Sequence, residues 1–291
     1  MSQPTTDTDT DIDTATRTAV AAPAVDHRPP GLARQVQMMV WRNLKHTRRQ
    51  PEMLTDVTIQ PVMFVVLFAF VFGGSIQTDS SSYREWLLPG IMAQTMAFAS
   101  FIVANGLNMD LEKGIIDRFR SLPISRGSVL IGRSVYGIIH SSIGIFVMSI
   151  TGLVIGWRIR NGFVDGVLAF LLLLLFGFAM IWVGILVGSA MRSPEAVNGL
   201  MFTTIFPVTF LANTFAPTEA MAPVLRTIAE WNPISSLVQA MRELWGNVPP
   251  APADAALPLQ HPVVTSIAWS VLITAVIAPL AVRAYVRRTT D

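Results

Sequence analysis

The sequence predicts an all-α polytopic membrane protein with six transmembrane helices and an N-terminal helix at the membrane interface. Three observations carry that expectation. The 291 residues are 52% hydrophobic and only 14% charged, where a soluble domain is about a quarter charged. Several runs approach the roughly 20 predominantly apolar residues needed to cross a bilayer core about 30 Å thick. The basic residues fall mainly on one side of these runs, as membrane orientation requires.

Residues 1–30 hold five Asp against two Arg and have no apolar run long enough for a signal-peptide core. They read as a disordered cytoplasmic tail. Residues 31–50 follow, with Leu32, Val36, Met39, Val40, Trp41 and Leu44 set among Arg34, Arg42, Lys45, Arg48 and Arg49. That spacing suits an amphipathic interface helix, its apolar side among acyl chains and its cations toward headgroups. The same residues would also serve as the cytoplasmic start of the first membrane helix.

The membrane domain occupies residues 51–291. Its spans are expected near 57–76, 86–105, 135–157, 163–188, 196–212 and 263–284. An even number of spans puts both termini on one side. Lys113, Arg118, Arg120, Arg126 and Arg133 between spans two and three, with Arg283, Arg287 and Arg288 in the tail, place that side in the cytoplasm. Arg158 and Arg160 vote the other way and are outnumbered. The connection 213–262 is too long for a simple loop. It contains helical patterns at 223–231 and 235–245, broken by Asn232-Pro233 and too short to cross. They fit an extracellular or re-entrant position, with Trp231 and Trp245 at headgroup level.

The chain lacks the residues of several chemistries. It has no Gly-x-x-x-x-Gly-Lys-Ser/Thr phosphate loop, no His-Glu-x-x-His and no Gly-x-Ser-x-Gly. Cysteine is absent, and His27, His46, His140 and His261 lie in four different segments. A catalytic or metal site is therefore not expected, and a net charge of only +2 gives no reason to expect nucleic acid. His140 lies inside a span, where an ionisable group is a functional candidate. It is read either as part of a substrate path or as a packing hydrogen bond with Ser141, Ser142 or Ser149.

Two regions remain. The polar segment 106–133 contains a short amphipathic pattern over 110–120, stopped by Pro123, with Ser125 or Ser128 placed to cap the next helix. Asp110, Glu112, Lys113, Asp117, Arg118 and Arg120 supply charge, and Phe119 and Leu122 supply apolar contact. This is a partner-docking surface or an ordinary solvated loop. Phe64, Phe68, Phe72, Met92, Met96, Phe98, Phe101, Phe202, Phe206 and Phe210 supply a possible apolar cargo path. Asn105, Asn198 and Asn213 are its polar members. Phe and Met are equally at home facing lipid or core.

The string EKGIIDRFRSLPISRGSVLIGR at 112–133 resembles type-2 ABC exporter permeases, of which the daunorubicin/doxorubicin resistance permeases of actinobacteria are the nearest branch. PEMLTDVTIQPVMFVVLFAFVFGGSI at 51–76, YREWLLPGIMAQTMAFAS at 83–100 and NPISSLVQAMRELWG at 232–246 are similar to the same branch, in the same order. The resemblance implies the six-helix type-2 ABC exporter fold in a bacterial cell membrane. It implies two separate ATPase subunits that bind ATP and Mg, none being bound by this chain, and a second permease copy or homologue. It makes 110–120 the helix that docks on the ATPase, Arg34–Arg49 the interface helix, and drugs, antibiotics or lipid-like compounds the cargo. A channel would need a filter motif and a membrane enzyme a paired acid and base, neither of which is visible. A secondary exporter is the nearer rival, but it would more often show an internal repeat and a coupling acid.

Overall fold

The structure is a computed structural model that describes residues 31–49, 54–55, 58–71, 73, 82–114, 125–252 and 254–290. The described residues form ten α-helices and one 3₁₀ turn, Thr218–Ala220. We label the helices α1 Leu32–Arg49, α2 Ile59–Val71, α3 Tyr83–Glu112, α4 Arg126–Ile155 and α5 Phe163–Ala190. They continue as α6 Pro194–Phe210, α7 Pro223–Glu230, α8 Pro233–Leu244, α9 Leu257–Gln260 and α10 Pro262–Arg288.

Local chemistry sets the boundaries. Ser82, Ser125 and Ser193 cap α3, α4 and α6 by accepting the backbone N–H of Arg84, Ser128 and Ala196. Pro194 and Pro233 stand in the first helical turn, where no N–H is needed. Gly156, at φ 105°, ends α4 in a left-handed conformation that a Cβ would oppose.

Among the described residues, four helices are long and apolar enough to cross a membrane: α3, α4 from Gly127, α5 and α10. This corrects the expectation of six spans. Helix α2 has 13 residues and α6 has 17, roughly 20 and 26 Å at the α-helical rise. Both fall short of a hydrocarbon core of about 30 Å. Helix α6 ends at Phe210, and the N–H of Asn213 turns away to the Ser235 hydroxyl instead of continuing the helical ladder. The runs 57–76 and 196–212 are apolar in composition, but composition does not count helical turns. The other four helices extend beyond their apolar runs, as α4 does by starting at Arg126.

Helix α3 is the centre of the bundle: 83% of its apolar window is buried, against 11% for α10 on the periphery. It packs on α5 through small residues. A Cβ on Gly184 would stand 2.3 Å from the Ser100 carbonyl oxygen, and one on Gly188 2.5 Å from that of Ala104. Such close backbone approach is how helices associate where lipid supplies no hydrophobic drive. One core joins Leu87, Leu88, Met92 and Met96 of α3 to Leu173 and Phe176 of α5 and to Leu237, Val238, Met241 and Trp245 of α8 and its end. A second joins Val103, Leu107, Val129, Leu130, Ile181, Ile185, Ala281 and Tyr285 near the other end of the bundle.

Helix α1 is an element of its own. Its face carrying Gln35, Met39 and Thr47 is buried, with Met39 against Gly132 of α4. Of the apolar residues read from sequence, Met39 is buried, Val36, Val40 and Leu44 are half-buried, and Leu32 and Trp41 are exposed. The expected helices in 213–262 are present as α7 and α8. Residues 1–30 and the stretch 115–124 lie outside the described residues.

Candidate functional site

A cavity of about 430 Å³ opens between α2, α3 and α6. It falls within the size range of small-molecule sites. Helix α3 contributes Ile91, Gln94, Thr95, Phe98, Phe101, Ile102, Asn105 and Met109, spaced to form one helical face. Helix α2 adds Gln60, Pro61 and Phe64, and α6 adds Asn198, Phe202, Phe206 and Phe210. Every described lining residue is uncharged.

The aromatic rings form a continuous belt. Phe98–Phe101 and Phe101–Phe202 are 5.3 and 5.2 Å apart, Phe202–Phe206 6.4 Å, and Phe206–Phe210 4.2 Å between centroids. Phe215 continues it, 4.9 Å from Phe210 and 4.6 Å from Phe68, which is 6.0 Å from Phe64. These separations suit offset or edge contacts between aromatic rings. At the opposite mouth, Asn105 Nδ2 donates to Asn198 Oδ1 at 2.8 Å and ties α3 to α6. Phe202 and Phe206 remain largely exposed, so the cavity is open on the α6 side.

Of the residues proposed from sequence for a cargo path, Phe64, Asn105, Phe202 and Phe206 meet here, joined by Phe98, Phe101, Phe210 and Asn198. Phe68 sits in the ring belt between Phe215 and Phe64. Met92 and Met96 do not line the cavity; they are fully buried in the core, with Met96 against Gly177 of α5. His140 is also elsewhere, buried in α4 with its ring 5.7 Å from Tyr136. The hydroxyls of Ser142 and Ser149 bond their own helix at Ile138 and Ile145. Asn213 does not line the cavity; its backbone N–H donates to Ser235 and its backbone carbonyl accepts from Arg242. Phe72 lies outside the described residues. Sequence reasoning did not single out Gln60, Gln94 and Thr95, whose signal would have been their helical spacing with the chosen phenylalanines.

The 106–133 segment begins inside α3: Asp110 and Glu112 belong to its last turn rather than to a separate short helix. Asp110 bridges two cations. It accepts Arg42 of α1 at 2.8 Å on one oxygen and Arg133 of α4 on the other. Arg133 also donates to the Gly106 carbonyl at 3.0 Å. Gln35 of α1 accepts the Ser125 N–H at 2.9 Å, and Thr47 and Tyr136 share a 2.7 Å hydrogen bond. Glu112 and Lys113 are exposed. Ser125, not Ser128, is the cap of α4. Asp117, Arg118, Phe119, Arg120 and Leu122 lie outside the described residues. On α1, Arg34, Trp41 and Lys45 are exposed, whereas Arg42 turns inward to Asp110.

At the α8 end, Arg242 is 1% exposed. Its Nε donates to the Trp86 carbonyl and its Nη2 to the Asn213 carbonyl, both at 2.9 Å. Burial lowers its pKa well below the ordinary arginine value, while Tyr83 and Glu219 act in the opposite direction. Tyr83 donates to the Phe215 carbonyl at 2.9 Å, and Asn232 to that of Val208 at 2.7 Å. These bonds hold the α8 ends of the cavity-lining helices together. Among the described residues no group of three or more His, Cys, Asp or Glu could hold a metal ion.

The short α7 and α8 helices, an uncharged cavity and a polar helix end suit a transport subunit, and comparison with known proteins decides the family. The ABC-2 type transporter family model matches residues 34–245. The chain belongs to the ABC-2 type transporter family. As a family member it is a multi-pass membrane permease, a component of a transport system rather than its nucleotide-binding subunit. Over 205 residues this ABC-2 permease is 30% identical to the daunorubicin resistance ABC transporter permease protein DrrB1 of Streptomyces coeruleorubidus, covering 70% of this chain and 72% of that one. It is 23% identical over 250 residues to the doxorubicin resistance ABC transporter permease protein DrrB of Mycobacterium tuberculosis, covering 83% and 86%. It is also 24% identical over 266 residues to the probable doxorubicin resistance permease protein DrrC of the same species, covering 88% and 92%. These identities relate the chain distantly to drug-resistance permeases without placing it in one branch.

Proposed function

We propose that this chain is the permease subunit of an ATP-driven exporter that moves apolar or amphipathic compounds outward through the α2–α3–α6 cavity. The observation that carries the proposal is the uncharged lining of that cavity with its belt of phenylalanines. Rings offer a cargo large dispersion contact and π-faces without demanding one shape. Gln60, Gln94, Thr95, Asn105 and Asn198 offer hydrogen bonds that orient it. A fixed charge on the buried part of the cargo would find no counter-ion among these residues, so that part is uncharged. The drug-resistance permeases to which the chain is similar suit cargo of this kind.

The driving subunits are two separate ATPases that bind ATP and Mg, docking at 106–133 on the cytoplasmic side of a bacterial cell membrane, where both termini also lie. Helix α3 is a rigid lever for this arrangement. Its 30 residues run unbroken from Tyr83 to Glu112, so a push near Glu112 reaches Asn105 and the cavity wall without an intervening loop. Asp110, held by Arg42 and Arg133, passes the same displacement to α1 and α4. The exposed Phe202 and Phe206 leave room for a second permease, identical or homologous, to complete the cavity.

The test is vectorial efflux of a fluorescent aromatic drug from vesicles holding this chain with its candidate ATPases. Efflux that requires ATP and both polypeptides is expected. Efflux from the chain alone under a proton gradient would overturn the proposal in favour of ion-coupled export.

A further inference from the structure

We infer that the last turn of α1 is a binding site for the headgroups of anionic phospholipids. Helix α1 contains Arg34, Arg42, Lys45, His46, Arg48 and Arg49 and no acidic residue. Arg42 is occupied by Asp110. Lys45, Arg48 and Arg49 are exposed and make no ion pair with any described residue. Trp41, 66% exposed, Lys45 and Arg48 stand at i, i+4 and i+7 and share one face.

The depth of this face is set by α4. From Ser134 to Ile155, α4 carries no Asp, Glu, Lys or Arg, a stretch of roughly 33 Å at the helical rise, which matches the hydrocarbon core. Arg133, paired with Asp110, lies just before it. Tyr136 is therefore at the membrane boundary, and its hydroxyl holds Thr47 at 2.7 Å. The first turn of α1 meets Ser125 and its middle meets Gly132, so the helix approaches the bilayer as it runs. Thr47 is buried while Lys45, His46, Arg48 and Arg49 around it are exposed. Three fixed cations and an indole are thus pinned at headgroup level. Phosphate diesters complement the cations, and the amphipathic indole suits the glycerol region. An ATPase docked on the polar ends would lie farther from the membrane than this turn. That the leaflet is the inner one rests on the orientation proposed above; the site itself does not.

The experiment uses the full-length chain solubilised from vesicles of equimolar phosphatidylglycerol and phosphatidylcholine, with retained lipid counted by mass spectrometry. The wild type should retain phosphatidylglycerol in excess. The triple variant Lys45→Gln, Arg48→Gln, Arg49→Gln should lose that excess, about five-fold per cation removed, with an unchanged unfolding midpoint in pure phosphatidylcholine. Arg48→Lys with Arg49→Lys should keep it, since point charges suffice. Arg34→Gln, on the same face but at the far end, should leave it unchanged. Should the triple variant not fold, the single variant Arg48→Gln reads the same loss. Equal retention of the two lipids by the wild type would overturn the inference. So would an Arg34→Gln loss as large as that of Arg48→Gln, or a triple variant that loses only ATPase association.

Discussion

The guanidinium of Arg242 lies 3.5 Å from the centroid of the Trp86 ring, and the same side chain donates to the Trp86 backbone carbonyl. One cation from α8 thus grips the first turn of α3 by both its ring and its peptide. Through Asn213 it also grips the residue that follows α6. The α7–α8 segment is fastened to both cavity walls by a buried cation that makes no ion pair among the described residues.

Removing that cation takes a charged donor away from two buried carbonyls and leaves an empty volume beside the indole. Arg242→Ala should cost about 3 kcal/mol, from charge-assisted hydrogen bonds and a desolvated cation–π contact. Arg242→Lys should recover only part, because an ammonium lacks the planar fork. Unfolding midpoints of the detergent-purified chain check both.

The α3–α5 crossing makes a sharper steric prediction. Gly184→Ala and Gly188→Ala each drive a methyl into backbone carbonyls that cannot rotate aside, so each should destabilise by about 1–3 kcal/mol. Gly199 of α6 has nothing within 4 Å of its would-be Cβ. Gly199→Ala should be neutral or slightly stabilising on the same assay.

Asp110 and Glu112 separate two roles within one helical turn. Asp110→Asn weakens the bridge to Arg42 and Arg133, so it should lower both the unfolding midpoint and the efflux per ATP hydrolysed. Glu112 is exposed, so Glu112→Lys should leave the midpoint unchanged and weaken ATPase association. Phe119→Ala should resemble Glu112→Lys. Normal assembly and efflux in both Glu112→Lys and Phe119→Ala would refute the docking assignment.

Glu243, at the end of α8, supplies a pH signature. Burial raises its carboxyl pKa above the ordinary 4.5, against the opposing hydrogen bonds from Gln239 and the Ala251 N–H. The folded state therefore holds this proton more tightly than the unfolded state does. Its contribution to stability is full below pH 4.5 and is lost as pH rises through the folded value. Glu243→Gln keeps an oxygen acceptor and cannot ionise. Its unfolding midpoint should fall less than that of the wild type between pH 4.5 and 7, read by a thermal series across that range.

Much of the architecture was legible because it depends on local chemistry. Ser125 and Asn232-Pro233 announce helix starts, and the α7–α8 break follows from them. The apolar runs of α3, α4, α5 and α10 are long enough to be read by length alone. The runs at 57–76 and 196–212 were misread as spans because apolar composition does not count helical turns; beyond α6, Ser235 takes the Asn213 N–H, and that bond is invisible along the chain. Met92 and Phe98 show the same limit within one helix. Both are apolar and both lie in α3, but one turns to Gly177 and its neighbours and the other to the cavity.

The amino-acid order alone dictated an all-helical membrane chain, its basic end, the lack of a nucleotide loop and a supply of phenylalanines. It did so because hydropathy, helix capping and charge act over a few residues. Which phenylalanines share a cavity, which aspartate clasps two helices and which arginine locks the α8 end were decided by tertiary packing. Those facts depend on the rotation of each helix about its axis and on partners 23 to 156 residues away. When lipid is as apolar as the core, the hydrophobic pattern cannot tell an inward face from an outward one; the close approach of glycines and the pairing of buried polar groups can.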